Sequence, residues 1–235
     1  MDGQFSPGQD VQMVDRGTQA PPNNSSATIT YLSTPTPEGA DQSTYTFTAA
    51  IPSKAYDWVC LVPVAFGSAG GAKSLDGTST IAGVTATVVG QHNPNASNNT
   101  GLLLANIPAS TSGDLVVQFS GGAATRCAPV VYEMLGANTT AHATATDGTT
   151  DPTGSTINIP ANGALIAIAA SSGTPTDETW TGATEDVSAL VETSRRYSSA
   201  SQSSMSVETG RTVSCDWSGG TPATSSFFAA SFPAA

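Results

Sequence analysis

A strand, an aromatic residue, a Ser-Gly-Gly turn and a second strand occur twice in this chain, and the repetition constrains the fold more than any single residue. Residues 114–125 read D-L-V-V-Q-F-S-G-G-A-A-T and lead into an apolar run over 128–135. Residues 211–224 read R-T-V-S-C-D-W-S-G-G-T-P-A-T and lead into an alternating run over 225–232. Gly-Gly supplies the positive φ that a tight reversal needs, so each copy predicts a β-hairpin.

The rest of the chain agrees with an all-β reading. Charged residues make up only 11%, against a usual share of about 25%. The polar surface must therefore come from Ser, Thr, Asn and Gly, which suit pleated strands and turns better than amphipathic helices. Strand signals recur at residues 27–32, 43–49, 57–66, 79–89, 102–107, 155–160, 163–171, 178–183 and 194–203. The count is roughly a dozen, at the spacing of sandwiches and barrels. Residues 57–66 and 163–171 are almost continuously apolar, as central strands covered on both faces should be. Residues 155–160, S-T-I-N-I-P, echo the run from Ser43 to Pro52, so the second half echoes the first. A short helix at most is expected, within residues 186–194.

The expected fold is an antiparallel two-sheet β-sandwich, jelly-roll-like, over residues 25–235. Two small domains are the alternative. The Thr- and Ala-rich stretch over residues 139–154 is short and alternates enough to pair as a strand itself, which favours one sandwich. Residues 1–24 carry Gly and Pro without a sustained period and read as an extended N-terminal arm. Phe5, Val11, Met13 and Val14 are its apolar residues and its expected partner-binding contacts.

Catalytic residue types are sparse. His92 and His142 are the two histidines, and neither lies in a motif with a nucleophile. Ser120 follows Gln118-Phe119, so the nucleophile-elbow pattern fails. Asp147 and Asp151 lack the spacing and terminal Glu of a calcium loop. The carboxylate pairs Asp177-Glu178 and Glu185-Asp186 are adjacent in sequence and would point to opposite faces of a strand. No catalytic residue, metal site or cofactor is expected. Trp180 and Tyr197, among Ser and Thr, are the candidates for stacking on a glycan, weighed against the ordinary place of a strand aromatic in the core.

The formal net charge is -11, with 7 Lys+Arg against 18 Asp+Glu, and no basic stripe for nucleic acid exists. Arg195-Arg196 is the one basic pair and reads as a solvated strand position or as an ion pair with Glu192. No apolar run approaches the roughly 18 residues of a membrane helix, and the N-terminus has no signal-peptide pattern. The cysteines Cys60, Cys127 and Cys215 fit no zinc or redox spacing. They read as buried thiols, with one disulfide between neighbouring strands as the alternative.

The order of phrases S-T-Y-T-F, W-V-C-L-V-P-V, T-I-A-G-V-T-A-T-V-V, D-L-V-V-Q-F-S-G-G, A-L-I-A-I-A-A, T-W-T-G-A-T-E-D and S-F-F-A-A-S-F resembles a β-sandwich family of virion surface proteins from tailed bacteriophages. The resemblance spans about residues 28–235 and brings no catalytic residue with it. It implies a head decoration, spike or fibre component located on the virion after synthesis in the host bacterial cytoplasm. The implied partners are other virion proteins (a major capsid, tail or fibre protein), further copies of the chain, and a host surface glycan if the role is host recognition. Assembly in a reducing cytosol would account for the absence of a disulfide framework.

Overall fold

A computed structural model describes residues 25–235 except 69, 70, 72, 95, 96, 149, 150, 152, 174 and 193. The described residues form antiparallel strands, numbered β1 to β19 along the chain, and no helix. Residues 186–194, expected to hold at most a short helix, lie largely in strand β16 (Thr184–Glu192). There Val187, Ala189 and Val191 alternate toward a core, so period two wins over period 3.6.

The strands group into four sheets, where two were expected. A first inner sheet has the order β1 (Thr28–Ser33), β11 (Val131–Leu135), β3 (Trp58–Ser68), β8 (Asn99–Ile107), β7 (Thr87–His92), and β10 (Ala124–Pro129) also pairs with β3. A first outer sheet has β2 (Thr44–Ile51), β9 (Gly113–Ser120), β5 (Thr80–Ile81) and β6 (Val84–Thr85), with β4 (Ser74–Leu75) on β9. A second inner sheet runs β12 (Ala143–Asp147), β19 (Pro222–Phe232), β14 (Gly163–Gly173), β17 (Arg195–Met205), β16. A second outer sheet runs β13 (Thr153–Ile159), β18 (Glu208–Ser218), β15 (Asp177–Thr181).

Chain order and sheet order repeat together. The inner sheet of each half has its first strand at one edge, its last strand beside it, and the long apolar strand in the centre. The outer sheets place β9 and β18 on the strands β2 and β13 respectively. The stretch over residues 139–154, expected to pair, supplies β12 on β19.

The sequence repeat therefore marks the same place in each half, but it is a corner between sheets and not a hairpin. β9 pairs with β2, β4 and β5, whereas β10 pairs with β3 in the other sheet. β18 and β19 likewise belong to different sheets. The glycines still act as expected, with Gly121 at φ 82°, Gly122 at φ 110° and Gly219 at φ 70°. Phe119 and Trp217, two residues before the first Gly of each turn, point into the gap that the corner closes.

Three layers of core fill the spaces between the four sheets. Between the first outer and inner sheets lie Tyr45, Phe47, Trp58, Val62, Phe66, Leu103, Leu115, Val117 and Phe119. Between the inner sheets lie Leu61, Ala65, Leu102, Leu104, Tyr132, Ile166, Ile168, Tyr197 and Phe228. Between the second inner and outer sheets lie Ile157, Leu165, Ala167, Ala169, Val213, Cys215, Trp217 and Phe227. Alternate residues of β3 and β14 thus enter different cores, which is why both strands read as unbroken apolar runs. The inner sheets meet in opposite sense: β1 lies against β14 and β17, and β7 against β12 and β19. The two strand orders thus run in opposite directions across the interface.

Candidate functional site

The expected site residues do not converge on one place. Phe5, Val11, Met13 and Val14 lie outside the described residues. Tyr197 is 0% exposed in the core between the inner sheets, so no ring face is left for a sugar. Trp180 is half-buried; its Nε1 donates to Ser198 Oγ at 2.8 Å and its ring packs 6.2 Å from that of Phe227. Both aromatics take the core role that period-two burial gives a strand aromatic.

The charged candidates are used in structural contacts. Glu178, on β15, accepts from Arg196 Nε at 2.6 Å, with side chains 1% and 17% exposed. Glu192 pairs instead with Arg126, at 3.5 Å, so the expected link from Glu192 to the basic pair is replaced by one across the inner sheets. Glu192 stands opposite Arg195 in the β16–β17 ladder, yet its carboxylate accepts from Arg126. Asp186 accepts from the Tyr132 hydroxyl at 3.1 Å, and burial raises its pKa, partly offset by hydrogen bonds from Ser201 and Tyr132. Burial also raises the pKa of Glu185, reinforced by the charges of Glu178 and Asp177. Asp151 accepts from the Trp217 backbone N–H at 2.8 Å, and Asp147 from that of Gly154 at 2.8 Å, so both brace the second outer sheet. Among the described residues no group of three or more His, Cys, Asp or Glu gathers to hold a metal.

His92 ends β7 and is half-buried; desolvation lowers its pKa. Cys60, Cys127 and Cys215 are free and buried, and burial pushes each thiol up, away from the thiolate that nucleophilic or redox chemistry needs. The disulfide alternative is absent in the structure.

Among the described residues, two of the larger open grooves lie at sheet edges. One, of about 450 Å³, is lined by Ser33, Thr34, Thr36 and Glu38 along one wall and by Thr46, Phe47 and Ala49 along the other. A second, of about 430 Å³, lies between Thr87–Val89 of β7 and residues 139–144 leading into β12. Threonines recur in both, and the second also carries His142.

No family model, no curated protein and no solved structure matches this chain.

Proposed function

We propose that this chain is a non-enzymatic structural protein of a particle surface, of the tailed-phage virion kind that its phrase order resembles, acting as a capsid decoration or a tail- or fibre-associated component. On this reading the four sheets are two β-sandwiches stacked back to back. The observation that carries the proposal is the doubled stack itself. Both central strands, β3 and β14, are covered on both faces, which makes a rigid block. The outermost faces present threonine rows, such as Thr44, Thr46 and Thr48 on β2 and Thr179 and Thr181 on β15. Such a block suits display and lateral contact, and the hydroxyl-lined grooves provide contact area for neighbouring subunits.

Residues 1–24, with Phe5, Val11, Met13 and Val14, are the proposed anchor to the particle. A chain lacking them should keep the unfolding midpoint of the intact chain and fail to co-sediment with particles. Co-sedimentation at the level of the intact chain would refute the anchor, and absence of the intact chain from purified particles would refute the virion assignment. Glycan binding, the second reading, moves from Trp180 and Tyr197 to the two grooves, since the rings of both residues are engaged in the core.

A further inference from the structure

The correspondence between the halves breaks down at one buried place. Ala65 pairs with Ala128 and Thr100 in the first inner sheet, and Ala170 pairs with Ser226 and Tyr197 in the second. Aligning the two Ser-Gly-Gly turns makes Ala128 equivalent to Ser226 and Arg126 to Thr224. Thr100 then corresponds to Tyr197, and Asn98 to Arg195. On one side of the relation every contact is satisfied: Asn98 Nδ2 lies 2.9 Å from the Thr224 carbonyl oxygen and 2.8 Å from its hydroxyl, and Thr100 Oγ1 lies 2.9 Å from Ser226 Oγ. On the other side the equivalent residues are Arg126 with Arg195 and Ala128 with Tyr197. Two guanidiniums replace an amide and a hydroxyl, and Ala128 stands where the second half has Ser226, the partner of Thr100.

These residues enclose a small cavity. It is lined by Ala65, Phe66, Asn98, Arg126, Ala170, Val191, Arg195, Arg196 and Tyr197, and it leaves about 10 Å³ for the centre of a water-sized sphere. That is room for about one small species and no more. Two of its lining residues carry buried polar atoms with no hydrogen-bond partner in the protein, Arg195 Nε and the Tyr197 hydroxyl. Arg126, whose side chain is 9% exposed, spends its hydrogen bonds on the Ser97 carbonyl and, at 3.5 Å, on Glu192, which reaches it from the rim with its side chain 37% exposed. Arg196 is taken by Glu178 on the opposite face of β17.

We propose that this cavity is a binding site for a single halide-sized anion, which clamps β10 of one half to β17 of the other. Arginine has donors and no acceptor, so the occupant must accept from Arg195 Nε–H, and the tyrosine hydroxyl is free to donate as well. One carboxylate at the rim faces two guanidiniums, which selects a negative occupant over a neutral one. Size excludes phosphate, sulfate and carboxylates. Burial and the neighbouring Arg195 charge depress the Arg126 pKa, with Glu192 opposing, and an anion would relieve that strain. Gly67 gives the Arg126 guanidinium its seat, since a Cβ there would lie 2.6 Å from its Cζ.

Crystals of the intact chain grown in sodium bromide test the site directly, and thermal unfolding tests its linkage. The expected result is an anomalous bromide peak beside Arg195 Nε and the Tyr197 hydroxyl. The midpoint should also rise with chloride or bromide relative to gluconate at equal ionic strength, following the mass-action form of ligand stabilisation. Tyr197→Phe keeps the ring and removes the donor, and should weaken halide binding about tenfold or more, as expected for a hydrogen bond to a charge. Density without anomalous signal, bromide only at the outer surface, or an unchanged halide response in Tyr197→Phe would overturn the proposal. Arg195→Lys adds a second variant, and the bromide crystal needs no variant at all.

Discussion

The two halves share a topology but solve its core with different side chains. In the first half, Tyr45, Phe66 and Phe119 form an aromatic cluster under the corner, with ring centroids 5.8 Å and 5.0 Å from Phe119. In the second half the equivalent corner residue is Trp217, and the strand beneath it presents Leu165, Ala167 and Ala169. The first core sets Tyr45, Phe66 and Phe119 over valine; the second sets Trp217 and Phe227 over alanine. The strand count differs too, since β4, β5 and β6 extend the first outer sheet and β15 alone stands in their place in the second. The lesson is that the corner, its aromatic and the doubly covered strand specify this unit, while side-chain volume is negotiated locally at constant packing density.

The ion pairs give the strongest way to break the comparison. Glu178 is nearly inaccessible, and Arg196 is its partner. Arg196→Met strands a buried carboxylate and should cost about 3–5 kcal/mol. Lys54, the first half's partner for Glu133, is 23% exposed, and Glu133 also accepts from the Tyr56 hydroxyl at 3.0 Å. Glu133 is itself buried, with its side chain 8% exposed, but keeps the Tyr56 hydroxyl, so Lys54→Met should cost less than Arg196→Met, about 1–3 kcal/mol. Urea unfolding of the two variants at neutral pH reads the difference, and equal losses would mean that the second half's pair is no more dependent on its partner than the first's.

Core volume sharpens it further. Val62 and Ala167 occupy equivalent places on β3 and β14, each facing its own outer sheet. If the second core is filled for alanine, Ala167→Val overpacks it and should cost about 1–3 kcal/mol. A neutral or stabilising Ala167→Val would show instead that the second core holds spare volume under Trp217.

The repeat, the all-β class and the double coverage of β3 and β14 were legible in the sequence because alternation and unbroken apolar runs are direct images of burial. The corner was misread as a hairpin because Ser-Gly-Gly reports only that the chain reverses. Whether the next strand pairs with the last or crosses to the facing sheet depends on partners far away in sequence, such as Thr46 for Val116 and Ala65 for Ala128. The same distance concealed the site between the halves. Arg126, Arg195 and Tyr197 come together only once the halves are stacked, and the one signal available was the unmatched Arg at a position where the second copy of the repeat has Thr224. Trp180 and Tyr197 drew attention as aromatics in a polar context, yet that context is serine on the two faces of β17, most of it buried.

The smallest effect concerns pH, and it again lies where one half touches the other. Asp186 of the second half accepts from the Tyr132 hydroxyl of the first, and desolvation holds its pKa above the ordinary aspartate value of 3.8. As pH rises through that ordinary value, the unfolded chain loses this proton while the folded chain keeps it. The folded state then binds more protons, and stability falls until pH passes the raised folded value. Asp186→Asn retains an acceptor for Tyr132 and cannot ionise, so it should match the wild type near pH 3.8 and become the more stable of the two at pH 7. Glu185 shifts in the same direction, and the Asp186 charge is one of the contributions that raise it, so its removal in Asp186→Asn acts with the same sign. Urea midpoints at the two pH values check the sign. A variant less stable than wild type at pH 7 would mean that the hydrogen bonds from Tyr132 and Ser201 favour the carboxylate more than burial disfavours it.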